Sequence, residues 1–260
     1  MSDSFPQADR TSLKPKEQGT LEQFMELFLL PYIKKRQSEG TMPKPLQLKA
    51  ARVIFFPDGR DYLVQVNEEV GVVLLKYKDG VNKDVGEPVY EHEVDWSHIP
   101  GLPEEYKDCG HITLIVVNGV MYLSFDAVYN KGVNQKLIAT ARQFYDTAAY
   151  ALSKKQWSSF IDNLFSAAEL AAKCIVLSSL IPDRKILDDH NLIQEGFTKF
   201  GKNGNVQKDL TKAFHKLRNE RVPARYLKGK DDMYTMNETE AKTLYERVGL
   251  LIMETEKYIK

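Results

Sequence analysis

The segment Leu164-Phe-Ser-Ala-Ala-Glu-Leu-Ala-Ala-Lys-Cys-Ile-Val-Leu177 limits what this chain can fold into more than any other. Phe160, Ile161, Leu164, Phe165, Ala168, Ala171, Ala172 and Ile175 recur every three or four residues, the repeat of one helix face. Ala167, Ala168, Ala171 and Ala172 carry almost no bulk, so a second helix can approach closely. A stripe of this kind needs helical neighbours to cover it. The sequence supplies them. Leu137, Ile138, Ala141, Phe144, Tyr145 and Ala148 form an earlier stripe. Pro182 stops the central helix, and Asp188-Asp-His-Asn191 opens the next, with Leu192, Ile193, Phe197 and Phe200 inward. After the turn Gly201–Gly204 come Leu210, Ala213, Phe214 and Leu217, with Lys208, Lys212 and Lys216 opposite and Pro223 breaking the pattern near its end. Asn237 caps a last helix carrying Ala241, Leu244, Tyr245, Val248, Leu251 and Ile252. Residues 131–260 therefore read as an up-down helical bundle.

The first half has another texture. Residues 1–19 are polar and punctuated by Pro6, Pro15 and Gly19, which predicts a mobile tail. Thr20 and Gln23 stand in capping-box register before Leu21, Phe24, Met25, Phe28, Leu29 and Tyr32, predicting an amphipathic helix over 20–40 that Pro31 ends or kinks. From 41 to 130 the signals are those of strands. Lys49–Phe56 and Tyr62–Val66 flank Asp58-Gly59, and Val70–Tyr77 reads as a buried strand. Lys78–Gly110 is loop-like, and Ile112–Val117 and Val120–Phe125 flank Asn118-Gly119, a pair suited to a type I′ turn. The fold class is α+β: an N-terminal helix and a small antiparallel β module, then the bundle.

Charge separates the halves. Residues 1–130 hold 14 Lys and Arg against 20 Asp and Glu, net −6, and residues 131–260 hold 22 against 16, net +6. A polyanion would meet the second half first. Two cysteines, Cys109 and Cys174, imply no disulfide framework. The loop Glu91–His98 and Cys109-Gly-His111 contain metal-ligand residue types at spacings that match no metal site, so no metal and no cofactor is expected. No apolar run reaches the roughly 18 residues of a membrane span, and no signal pattern opens the chain, so the expected compartment is the cytoplasm.

Cations gather in Phe214-His-Lys-Leu-Arg-Asn-Glu-Arg-Val-Pro-Ala-Arg-Tyr226. One reading of Arg218, Arg221 and Arg225 is structural: they offset helix-end carbonyls or pair with Asp188-Asp189. The other is phosphate binding by Lys212, Lys216, Arg218, Asn219, Arg221 and Arg225, helped by Lys228 and Lys230. His215 precedes Arg218 by one helical turn and can share its surface. Tyr226 reads as a core or hydrogen-bonded aromatic rather than a stacking platform. Glu169 and Lys173 read as a pair on the flank of their helix.

Residues 134–258 resemble the HEPN family, on the helix Leu164–Leu177, on His190 opening the next helix, and on Arg218-Asn-Glu-Arg-Val-Pro-Ala-Arg-Tyr226. The resemblance implies a bundle of four to five helices, found in nucleotide-related and prokaryotic defence systems, that commonly dimerises. It also implies an active form that cleaves RNA without metal, through Arg, four to six intervening residues, then His. That chemistry needs a proton carrier and a cation at phosphorus. This sequence departs at the decisive place: five residues after Arg218 stands Pro223, and no histidine follows His215. The expectation is a non-catalytic binding or regulatory homodimer whose basic helix end meets RNA, a nucleotide or a protein. Two alternatives stand beside it. One is a divergent ribonuclease with His215, Arg218 and Tyr226 as catalytic candidates. The other gives ligand binding to the β module and leaves the bundle as dimeriser.

Overall fold

A computed structural model describes residues 15–71, 76–84, 87, 93–95, 102–117, 119–179, 189–226 and 233–259. The chain divides into two compact units, Met1–Phe56 with Arg60–Ala127, and Val128–Lys260 with Pro57–Gly59.

The first unit opens with α1 (Pro15–Phe24), a π-helical turn (Met25–Leu29) and α2 (Leu30–Ser38), which follow one another without leaving helical geometry. Helix begins at Pro15, so Thr20 lies within it instead of capping it, and the expected tail loses its last five residues to helix. Pro31 does not end the helix. It sits at the start of α2 directly after the π turn, where the wider winding keeps the preceding carbonyls clear of its ring.

The four strands β1 (Ala50–Phe55), β2 (Leu63–Val66), β3 (Gly110–Val117) and β4 (Val120–Asp126) form an antiparallel sheet in the order β2-β1-β3-β4. Both expected hairpins are present. Alternation gives the sheet one apolar face: Ala51, Val53, Val64, Val66 and Leu114 bury Phe24, Leu29 and Ile33 of the helical segment. Half of the expected strand Val70–Tyr77, residues 72–75, lies outside the described residues. Of its ends, Val70 closes a 3-10 turn and Tyr77 makes a single antiparallel bridge with Val94. Asn118, most of Glu91–His98, Pro182, Asp188, Lys228 and Lys230 also lie outside them.

The second unit is helical: α3 (Lys131–Ser153), α4 (Trp157–Leu177), α5 (His190–Lys202), α6 (Lys208–Tyr226) and α7 (Glu238–Tyr258). The central stripe behaves as read, with Phe160, Ile161, Leu164, Ala167, Ala168, Ala171 and Ala172 fully buried in α4. Asp189 caps α5 through Asn191 N at 2.8 Å, and Asn237 caps α7 through Thr239 N at 2.9 Å. Glu169 of α4 meets His190 of α5, and Val176 meets Gly196, so contacts advance together and α4 and α5 run the same way. Arg218 meets Asn191 and Thr211 meets Gly201, so α6 runs back along α5. Pro223 lies inside α6, which continues to Tyr226. Lacking an N–H, Pro223 leaves out the bond that would run to the Asn219 carbonyl, yet the helix continues through it.

Candidate functional site

α6 is the element that distributes the cations. At 3.6 residues per turn, successive basic residues leave it in different directions. Lys216 turns toward α7 and pairs with Glu240. Lys212 pairs within its own helix with Asp209 at 3.8 Å. Arg221 and Arg225 reach Asp162 of α4, with Arg221 Nε 3.1 Å from Oδ1 and Arg225 Nη2 3.7 Å from Oδ2. The Arg221 guanidinium also lies 4.7 Å from the Phe165 ring centre, a cation–π contact. Among the described residues these arginines meet Asp162 and not Asp189, while Asp188 lies outside them. Asp189 spends its carboxylate on capping α5, and Asp162 stands within reach across the bundle. Glu169 accepts from His190 Nδ1 at 2.7 Å.

Arg218 faces α5. Its Nη2 donates to Asn191 Oδ1 at 3.1 Å. Together with His215 it lines a cleft of about 650 Å³, whose other wall is Asn191, Gln194, Glu195, Thr198, Lys199 and Lys202 of α5. Three cations against one carboxylate leave this cleft net positive, and its remaining groups are hydrogen-bonding side chains. Its volume lies within the range of small-ligand sites.

The state of His215 follows from its neighbours. Thr198 donates its hydroxyl to the Gln194 carbonyl at 2.7 Å, so that oxygen can only accept from the ring. His215 Nε2, 3.1 Å away, must carry the proton and donate it. Nδ1 is then the acceptor, with Gln194 Nε2 at 3.5 Å as its donor. Burial and the positive charge of Arg218 both lower the His215 pKa from its ordinary value of 6.5, which favours this neutral ring. The ring also packs edge-on against Phe214, 5.8 Å between centres. Both nitrogens are engaged inside the wall of the cleft, a poor starting point for moving a substrate's proton.

The remaining expected residues are dispersed. Asn219 is exposed, and Ala224 is buried. Tyr226 is 64% exposed, which corrects the expectation of a packed aromatic: it is the last residue of α6 and has run past the bundle core. The Arg225 guanidinium lies 6.0 Å from its ring centre. The α5 wall was missed by the sequence reading. Its signal was available as the polar stripe Asn191, Gln194, Glu195, Thr198 and Lys202 opposite Ile193 and Phe197. Among the described residues no cluster of three or more His, Cys, Asp or Glu is placed to hold a metal ion, and no helix is long and apolar enough to cross a membrane.

Comparison with known proteins adds one finding. The family model for the HEPN domain matches residues 134–258. No curated protein and no solved structure matches the chain.

Proposed function

We propose that the HEPN domain formed by residues 134–258 is a non-catalytic binding module, and that its α5–α6 cleft holds backbone phosphate of single-stranded RNA. One observation carries the reading: Arg218 opens into a cationic cleft while His215, which lines the same cleft, has both nitrogens engaged. Arg218, Lys199 and Lys202 would hold phosphate, and Asn191 and Gln194 would hydrogen-bond to sugar or phosphate oxygens. With Pro223 at the place of the proton carrier, the bound strand would be retained, not cut. Two copies would associate through the bundle, where Phe144 and Tyr150 of α3 and Leu250 and Met253 of α7 offer exposed apolar surface.

The test is equilibrium binding of a labelled single-stranded RNA across a salt series, with a free mononucleotide as competitor. The expected result is salt-sensitive binding, weakened roughly tenfold by Arg218→Ala. Binding that is absent at low salt, or indifferent to that change, sinks the proposal. Displacement by the mononucleotide at equal concentration would identify a nucleotide as the preferred ligand.

The shared cleft of His215 and Arg218 keeps one alternative in view, a divergent ribonuclease. Cleavage of structured RNA in EDTA that disappears in His215→Ala, with the fold retained, would establish it in place of the binding module.

A further inference from the structure

The sheet of the first unit has a second face, and it is not apolar. Register sets Gln65, Arg52, Thr113 and Ser124 in one row across β2, β1, β3 and β4. The next row is Leu63, Ile54, His111 and Asp126. Arg52 is 3% exposed, Thr113 1% and His111 4%.

Arg52 is the anomaly. Its Nε donates to Thr113 Oγ1 and its Nη1 to the Val70 carbonyl, both at 3.2 Å. Both acceptors are neutral. A guanidinium has five N–H donors and stays protonated, so three donors and the full charge have no partner among the described residues. Asp126, a carboxylate on this face, belongs to the strand two over, and burial alone, with no acidic neighbour contributing, lowers the Arg52 pKa. A buried charge without a counter-charge is strongly unfavourable. Opposite Arg52 stands Gln65, whose Oε1 is buried and accepts no hydrogen bond although the two residues are cross-strand partners. Thr113 Oγ1 also contacts His111 Nδ1 at 3.0 Å, tying the two rows together.

We infer that Arg52 and Gln65 form a buried ligand site for a small hydroxymonocarboxylate. The carboxylate would take the free fork of the guanidinium, neutralising one positive charge with one negative. A hydroxyl beside it would donate to Gln65 Oε1. A phosphate dianion would overcompensate the single charge. The site lies in the β unit and stands independently of the α5–α6 cleft.

The full chain should be titrated with glycolate, acetate and inorganic phosphate, followed by calorimetry and by thermal unfolding. Glycolate is expected to bind saturably at one site per chain and to raise the unfolding temperature. Acetate, lacking the donor for Gln65, should bind several-fold more weakly, and phosphate should give no saturable shift. Arg52→Met should abolish the glycolate response while remaining folded, since an apolar side chain there removes the uncompensated charge. Should that variant not fold, Arg52→Lys serves instead, keeping the charge but losing the fork, with at least a tenfold loss of affinity expected. No saturable glycolate binding by the native chain, or an unchanged response in Arg52→Met or Arg52→Lys, would overturn the inference.

Discussion

Removing Arg221 and removing Arg218 should do opposite things, although both residues sit in one basic run. Arg221 Nε is 3.1 Å from Asp162 Oδ1, and the two side chains are 27% and 34% exposed. An ion pair so placed falls between the surface case and the buried one and contributes about 1 kcal/mol. The guanidinium over Phe165 at 4.7 Å adds roughly 0.5–1 kcal/mol. Arg221→Ala should therefore cost about 1.5–2 kcal/mol of bundle stability. With a urea dependence of about 2 kcal/mol per molar, the midpoint should fall by roughly 0.75–1 M. Arg218 makes one exposed hydrogen bond, to Asn191, so its loss should cost about 0.5 kcal/mol. RNA binding should show the reverse order. Arg218→Ala should lower the dependence of log affinity on log salt by about 0.7, one phosphate contact on a single strand. Arg221→Ala should leave it unchanged, because that guanidinium is held against Asp162 and Phe165 and does not line the cleft. Far-UV circular dichroism in urea and fluorescence anisotropy with labelled RNA measure the two quantities on the same preparations. An Arg221→Ala variant with an unshifted urea midpoint, or with an RNA salt dependence changed as much as in Arg218→Ala, would refute this division of labour.

Two further outcomes can be checked on the folded chain. His215 is held below its ordinary pKa of 6.5, so between the two values the unfolded state binds more protons. Its stabilising contribution is complete above pH 6.5 and lost as pH falls through that value toward the lower folded pKa; urea midpoints at pH 7.5 and 5.5 should differ less in His215→Gln than in the native chain, and an identical difference would count against the buried neutral ring. Gly201 sits where α5 crosses α6, and a Cβ there would run into Thr211 Oγ1 and lie 3.3 Å from the Thr211 Cβ. Alanine normally gains about 1 kcal/mol over glycine inside a helix, but here Gly201→Ala should lower the unfolding temperature, and adding Thr211→Ala should restore it.

The fold was legible where a pattern belonged to one element. The alanine stripe of α4, the caps Asp189 and Asn237, and the Asp58-Gly59 hairpin follow from local spacing, and each is present. What failed to show was set by partners distant in sequence. Nothing near Asp162 announces that it will take Arg221, 59 positions on. Pro31 and Pro223 read as breakers because the rule concerns an ideal helix, whereas Pro31 follows a π turn and Pro223 costs α6 one backbone bond without ending it. The polar wall of α5 was visible as a stripe, but a polar stripe becomes a site only once α6 is known to pack beside it. Arg52 was the least legible: an arginine in a strand is ordinary, and only the register that buries it among neutral groups makes it a question.

Density of charge along a chain is therefore a poor guide to density of charge in space. A helix with three neighbours sends Lys216, Arg218 and Arg221 to three of them, and two of those charges are answered by Glu240 and Asp162. The cation left facing a cleft is joined there by Lys199 and Lys202, which lie outside the basic run altogether. If the RNA reading is right, the run at 214–226 contributes one phosphate contact, and the α5 lysines supply the rest. A salt dependence near three contacts should then fall to two with Lys199→Ala as readily as with Arg218→Ala, and should not move with Lys212→Ala, which lies in the run but pairs along its own helix.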